Sequence, residues 1–138
     1  MRFTLTLLAS IALASPAARA EETGGLTIEL NRQEPADADC RLTFVVTNRH
    51  ATAIDGAVFE TVLFDAQGSV DRLTLFDFGA LPQGRERVRQ FQVDGLACDN
   101  LGRVLFNGAS SCTAGGQPSD LCASTLEVSS RTATELLR

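Results

Sequence analysis

Short runs of alternating apolar residues recur along this chain and limit the folds open to it. About seven runs rich in Val, Leu, Ile, Phe and Thr follow one another from Leu26 onward, with turn-forming residues between them. The run 26–30 alternates strictly, as does a strand that buries only one face. Repeated short strands predict an all-β sandwich of the immunoglobulin or fibronectin type. The chain has no Trp, which excludes a close relative of antibody domains.

The expected strands are separated by turn and loop sequences. Asp65-Ala66-Gln67-Gly68 is typical of a hairpin turn, because glycine adopts the left-handed conformation without strain. The segments 33–39 and 107–121 are expected to be loops, and 132–138 is expected to form one helical turn or to fray. Strands are expected at 26–30, 41–48, 54–65, 70–78, 85–93, 101–106 and 123–130.

The beginning of the chain has the pattern of a secretory signal peptide. Met1-Arg2 provides a positive start, an apolar stretch spans 3–14, and Ala18-Arg19-Ala20 carries the small residues that a signal peptidase requires. The apolar stretch is too short for a membrane-spanning helix. We therefore expect a signal peptide over 1–20 that is cleaved after Ala20, followed by a single sandwich domain over 21–138. The expected location is the periplasm or the outside of the cell, with no membrane span and no lipid anchor.

The charge of the chain excludes some classes of partner. The formal net charge is −5 at pH 7, and the isoelectric point is about 4.8. Nucleic acids and anionic membrane surfaces attract basic proteins, so neither is an expected partner.

Four cysteines, Cys40, Cys98, Cys112 and Cys122, are expected to form two disulfides, because an even number in an exported chain indicates a disulfide framework. Four cysteines allow three pairings. We favour Cys40–Cys98, because each precedes a predicted strand at one end of the sandwich. We favour Cys112–Cys122, because the two bracket a single loop. No Cys-x-x-Cys motif is present to indicate redox catalysis.

Few residues suit a catalytic or metal site, and no cofactor is expected. The only histidine is His50, and the chain lacks a Gly-x-Ser-x-Gly motif, so we expect a surface histidine and no enzyme. Ser110 and Ser111 show no link to His50 in the sequence. Two pairs of aspartates are candidates for weak calcium binding, although solvated acidic loops are the favoured interpretation. These pairs are Asp37 with Asp39 and Asp71 with Asp77.

Arg85, Arg87 and Arg89 share one face of a predicted strand, since alternate residues point the same way. Phe91 and Val93 have the same parity, so a regular strand would place arginines and apolar residues on one face. A bulge over 88–90 is expected to resolve this conflict.

Two interpretations of these three arginines remain open. The favoured one is that carboxylates on a neighbouring strand neutralise them. The functional one is a docking surface for an acidic partner or for a carboxylate or phosphate ligand, because the guanidinium group binds such groups in a fork. The candidate neutralising residues are Glu60, Asp71 and Asp77.

One part of the chain resembles a known family. The strand Phe44-Val45-Val46-Thr47-Asn48 ends in Asn, and after Ile54 a longer alternating strand, 58–65, ends in Leu-Phe-Asp-x-x-Gly. This pattern resembles the core of FxLYD-type bacterial sandwich domains and of the related late-embryogenesis-abundant fold, over about residues 41–80. The chain is also similar in style to small exported proteins of alphaproteobacteria. These resemblances imply an accessory or binding domain of the cell envelope.

The expected function is therefore that of a non-enzymatic exported envelope protein that binds another protein. Two alternatives are a small-ligand or metal-binding periplasmic protein and a secreted protease inhibitor that presents the loop between Cys112 and Cys122. The sequence identifies neither the partner nor the oligomeric state.

Overall fold

The computed structural model of the protein describes residues 24–138, so the predicted signal peptide lies outside the described residues. Residues 24–138 form nine strands and one 3₁₀ turn, Cys98–Asn100. The strands are β1 Leu26–Ala36, β2 Asp39–Asn48, β3 Gly56–Asp65, β4 Val70–Asp77, β5 Glu86–Val93, β6 Leu101–Ala114, β7 Gln117–Pro118, β8 Leu126–Ser130 and β9 Glu135–Leu137.

The strands form two sheets. The four-stranded sheet has the order β5-β2-β1-β8, and the five-stranded sheet has the order β4-β3-β6-β7, with β9 also pairing with β6. The β1–β8 and β6–β9 pairs are parallel, and the other named pairs are antiparallel. The predicted all-β sandwich with two disulfides is confirmed. In residues 24–138 no helix is long and apolar enough to cross a membrane.

Phenylalanine rings fill the space between the sheets. Phe44 on β2 contacts Phe76, Phe78, Phe91 and Phe106, with ring centroids 5.6–6.0 Å away. Most of these contacts are edge-to-face or tilted, the arrangements that the ring quadrupoles favour. The alternating residues of β1 and β2 complete this core, and each is at most 1% exposed. They are Leu26, Ile28, Leu30, Leu42, Phe44 and Val46.

The expected loop over 33–39 is wrong, since β1 continues to Ala36 and only Asp37 and Ala38 form the turn. Pro35 lies within this strand and pairs with Cys40. Proline is tolerated there because β8 pairs with β1 only as far as Leu30, so one side of β1 has no strand neighbour near Pro35.

Two further expectations near the end of the chain are also wrong. Most of the expected loop over 107–121 is strand, because β6 continues to Ala114 along β3 and then turns back into β7. Register shifts at the Gly- and Ser-rich part of β6 take up the irregularity. The expected helical turn or frayed end is instead β9, which pairs with Arg103, Val104 and Leu105 of β6.

The disulfides join Cys40 to Cys98 and Cys112 to Cys122, the two pairs that the sequence favours. The first ties the start of β2 to the 3₁₀ turn that precedes β6, and so links the two sheets. In the chain-entropy model, closing this long loop contributes about 4 kcal/mol to stability. The second ties β6 to the segment before β8. Two buried disulfides fit an oxidising compartment.

Asn48 organises one end of the sandwich. Its side chain is fully buried, and its amide nitrogen donates to the carbonyls of Thr52 and Leu81, each at 2.9 Å. Its amide oxygen accepts a hydrogen bond from the backbone N–H of His50 at 3.0 Å. The residue therefore connects the end of β2 to two separate loops.

We predict that Asn48→Ala lowers the free energy of unfolding by about 3 kcal/mol, because a fully buried side chain loses its three hydrogen bonds. The matched control is Asn107→Ala, since Asn107 is exposed and donates only to Glu60 at 2.6 Å. That change is expected to cost under about 1 kcal/mol. Urea denaturation of both variants measures the difference, and equal costs would contradict the role given to Asn48.

Candidate functional site

The outer face of the five-stranded sheet carries a continuous row of aliphatic side chains. Leu73 pairs in register with Val62, Val62 with Leu105, and Leu105 with Leu137. Side chains directly opposite one another on adjacent strands lie on the same face and touch. We call these four residues, from β4, β3, β6 and β9, the apolar row.

The apolar row does not belong to the core. Val62 is only 7% exposed, yet it lies outside the cluster of buried residues between the sheets. Leu73 is 59% exposed, and its β4 neighbours Leu75 and Val70 are 57% and 55% exposed. Exposed patches of large aliphatic side chains are typical of interaction sites.

Charged residues surround the apolar row. The guanidinium of Arg103 lies 4.2 Å from the ring centroid of Phe64, a cation–π contact that ends the patch on one side. On the other side Glu60 faces Leu75 across the ladder, and Asp77 follows at the end of β4. The rim beside the exposed leucines is therefore acidic.

The predicted bulge over 88–90 is wrong. β5 pairs with β2 without a register shift, from Cys40 opposite Val93 to Thr47 opposite Glu86. The arginines and the apolar residues of β5 therefore share the inward face. This is tolerated because β5 is an edge strand, so the long arginine side chains can extend past the edge of the sheet to solvent. Arg89 donates through Nε to the carbonyl of Phe78 at 2.7 Å and through Nη2 to that of Ala80 at 3.1 Å, which bridges the two sheets.

The carboxylates expected to neutralise the three arginines have other partners. Glu60 accepts from Asn107, Asp71 pairs with Arg72 at 2.6 Å, and Asp77 accepts from the backbone of Gly79 at 2.8 Å. No ion pair within residues 24–138 includes the arginines at 85, 87 or 89. A docking role for Arg85, Arg87 and Arg89 stays a prediction, although two of the three guanidinium groups already bind backbone carbonyls.

His50 and Asp39, the candidates for catalysis and for calcium binding, hydrogen bond to other parts of the fold. His50 is half-buried, with Nε2 2.8 Å from the carbonyl oxygen of Leu121, so the ring links its loop to the disulfide-closed segment. Asp39 accepts from the side chain of Gln92 and from the backbone of Gly95. Within the described part of the chain, no three His, Cys, Asp or Glu residues group as metal ligands would.

A shallow polar groove of about 360 Å³ lies on the outer face of the opposite sheet. Arg49, Arg131 and three glutamates line it, one of which is Glu29. A hydrogen bond from Asn31 lowers the pKa of the Glu29 carboxyl, and the nearby Arg131 lowers it further. Sequence reasoning missed both this groove and the apolar row, because only the register between strands brings their residues together.

Comparisons with known proteins support the fold alone. No family model matches the chain, and no curated protein sequence matches it. The chain is similar in structure to IrmA from Escherichia coli, with a TM-score of 0.58 and 12% sequence identity. The match covers 76% of this chain and 91% of that chain. The likeness therefore extends over most of both chains and concerns their architecture.

We predict that Arg89→Gln lowers the free energy of unfolding by about 1–2 kcal/mol, because charged hydrogen bonds to two backbone carbonyls are lost. Arg85→Gln is the control, since Arg85 is exposed and precedes β5, and its effect is expected to be within about 0.5 kcal/mol. Thermal or urea unfolding compares them. Equal stability of the two variants would show that Arg89 does not hold the sheets together.

We also predict that Asn31→Ala raises the pKa of Glu29 towards its usual value of 4.5, and that Arg131→Ala raises it as well. A lowered pKa means that the folded state favours the carboxylate, so this contribution to stability is present above about pH 4.5 and is lost as the pH falls through the lowered pKa. Titration of the Glu29 side chain by NMR measures both shifts. An unchanged pKa of Glu29 in either variant would contradict the cause assigned to that residue.

Proposed function

We propose that this chain is a non-enzymatic exported protein of the cell envelope that binds another protein through the outer face of its five-stranded sheet. The observation that carries the proposal is the apolar row together with the exposed side chains of β4. The two disulfides support work outside the cytoplasm.

The shape of this surface favours a macromolecular partner. Sites for small molecules are concave and enclose most of the ligand, whereas a row across four strands offers an open face. A protein interface joins such an apolar centre to a polar rim. Because the rim beside Leu73 and Leu75 contains Glu60 and Asp77, the partner is expected to carry basic residues round its own apolar strip.

A second candidate function rests on the groove of the opposite sheet. Its lining combines Arg49 and Arg131 with Glu29, Glu86 and Glu127, so it suits a small ligand that carries both a negative and a positive group. The protease-inhibitor alternative stays a prediction. Cys112 and Cys122 enclose an exposed hairpin, and the backbone N–H of Gly116 in this hairpin donates to the carboxylate of Asp55 at 3.1 Å.

We predict that a photoreactive residue at position 73 crosslinks to one protein in cells that produce this chain, and that Leu75→Asp in the same molecule reduces the yield at least about tenfold. An aspartate there adds charge to an acidic rim and removes apolar contact area. The matched control is Val88→Asp, because Val88 is 59% exposed on the other sheet. That change is expected to leave the yield unaltered.

A photoreactive residue at position 129 probes the groove of the opposite sheet, which Ser129 lines. Crosslinking there but not at position 73 would overturn the proposed surface. Equal loss of yield with Leu75→Asp and Val88→Asp would also contradict it, since the effect would then follow from charge alone.

A further inference from the structure

The strand β4 is the outermost strand of its sheet, and one side of its backbone has no strand partner. The N–H of Phe78 donates to the carbonyl of Ala57 on β3 at 2.8 Å. In an antiparallel pair, the backbone groups of successive residues point alternately towards the partner strand and away from it. The N–H and C=O groups of Thr74 and Phe76 therefore also point towards β3. The N–H and C=O groups of Leu73 and Leu75 therefore point to the free edge.

The corresponding edge of the other sheet, β5, is covered by side chains over its first half. The carbonyl of Asn48 accepts from Gly84 on the β5 side, so even-numbered residues of β2 bond towards β5. By the same alternation, the carbonyls of Glu86 and Val88 point outward. Arg87 donates to the first at 2.9 Å and Arg89 to the second at 3.1 Å. These side chains occupy the acceptors that an added strand would need.

The remaining edge strands offer shorter pairing surfaces. β7 has two residues and β9 has three, whereas β4 has eight. β8 has five residues and packs near β9. The free side of β1 beyond Leu30 contains Pro35, which has no N–H to donate. In the described part of the chain, no side chain hydrogen bonds to the outward backbone groups of Leu73 and Leu75, so β4 offers a long open pairing surface.

A small cavity lies directly behind this edge. It has a volume of about 120 Å³ and lies between β4 and the end of β5. Arg72, Thr74, Gln92 and Asp94 make its lining largely polar. A strand placed beside β4 would direct one inward side chain towards Thr74, where this cavity accepts a small polar group.

We propose that β4 binds an extended segment of the partner protein by strand addition; this rests on the proposed function and specifies its mode. Main-chain hydrogen bonds to Leu73 and Leu75 hold the segment, and its outward apolar residues extend the apolar row. The segment carries a small polar residue for the cavity and a basic residue at each end. The basic residues follow from Asp71 and Asp77, which lie at the two ends of the open stretch.

The acidic residues at the two ends of the open stretch make a second copy of this chain a poorer partner for β4. An antiparallel copy of β4 centred on Thr74 would place Asp71 opposite the Asp77 of the other molecule, twice in each dimer. Like charges directly opposite one another destabilise a strand pair. Charge complementarity therefore favours a partner segment with basic ends.

The test uses the disulfide-bonded protein and the synthetic peptide Arg-Thr-Val-Thr-Val-Thr-Arg, which reads the same in both directions. Its arginines match Asp71 and Asp77, and its valines match Leu73 and Leu75. In an antiparallel pair centred on Thr74, N-methylation of the first valine removes a donor that points at β4, whereas N-methylation of the central threonine alters a donor that points away. We expect the first change to weaken binding at least about tenfold relative to the second, as loss of a main-chain hydrogen bond does.

The protein side of the test compares Leu75→Pro with Leu75→Val. Proline is tolerated at an edge position whose N–H faces solvent, so it removes the free donor and leaves the β3 ladder intact. We expect at least about tenfold weaker binding of the peptide by Leu75→Pro than by Leu75→Val. The N-methylated peptides give the same information without changing the protein, should the proline variant fail to fold.

Three results would overturn the proposal of strand addition: no binding of the peptide at millimolar concentration, equal affinity for the two N-methylated peptides, or equal binding of a peptide with glutamates in place of its arginines. Self-association that only Leu75→Pro abolishes would replace the partner segment with a second copy. If the peptide fails while crosslinking at position 73 still depends on Leu75, the proposed function stands and only its mode is wrong.

Discussion

The contact of Phe44 with the rings around it is the interaction on which the sandwich depends. Phe44 comes from the four-stranded sheet, and Phe76, Phe78 and Phe106 come from the other sheet or its borders, so one side chain holds both layers. Phe91 stacks on Phe76 with centroids 4.2 Å apart and closes the side of the sandwich between β4 and β5. The chain has no Trp or Tyr, so phenylalanine supplies all of its aromatic burial.

The two edge strands at this side, β4 and β5, differ in how far side chains cover their free backbone groups. Arg87 and Arg89 cover the outward carbonyls of Glu86 and Val88 on β5, which also explains why these arginines are tolerated at positions whose side chains point inward. The free edge of β4 carries exposed leucines and no such cover at its centre. Natural sheets protect exposed edges against unwanted pairing. The open apolar edge of β4, beside a β5 edge that arginines partly cover, therefore favours a role for β4 in binding.

Local patterns predicted much of this architecture. The alternation of Leu26, Ile28 and Leu30 indicated a half-buried strand, and the cysteine positions favoured the two pairs that the structure contains. Features that depend on distant partners were not predictable. Pro35 and the acidic residues near it favour a loop in the sequence, and the strand found there depends on where β8 ends. The row from Leu73 to Leu137 joins four strands that lie far apart in the sequence. The resemblance to FxLYD-type domains stays a prediction.

The parallel pairing of β8 with β1 and of β9 with β6 has a consequence for how the molecule forms. One side of β1 has no strand partner until residues 126–130 are available. In the same way, β6 cannot form its parallel pair until residues 135–137 are available. Neither sheet is complete until almost the whole chain is present. Such distant pairings make folding slow. During that interval the side of β1 that later pairs with β8 has no strand partner, so its backbone donors and acceptors are free to pair with another strand until the last residues arrive.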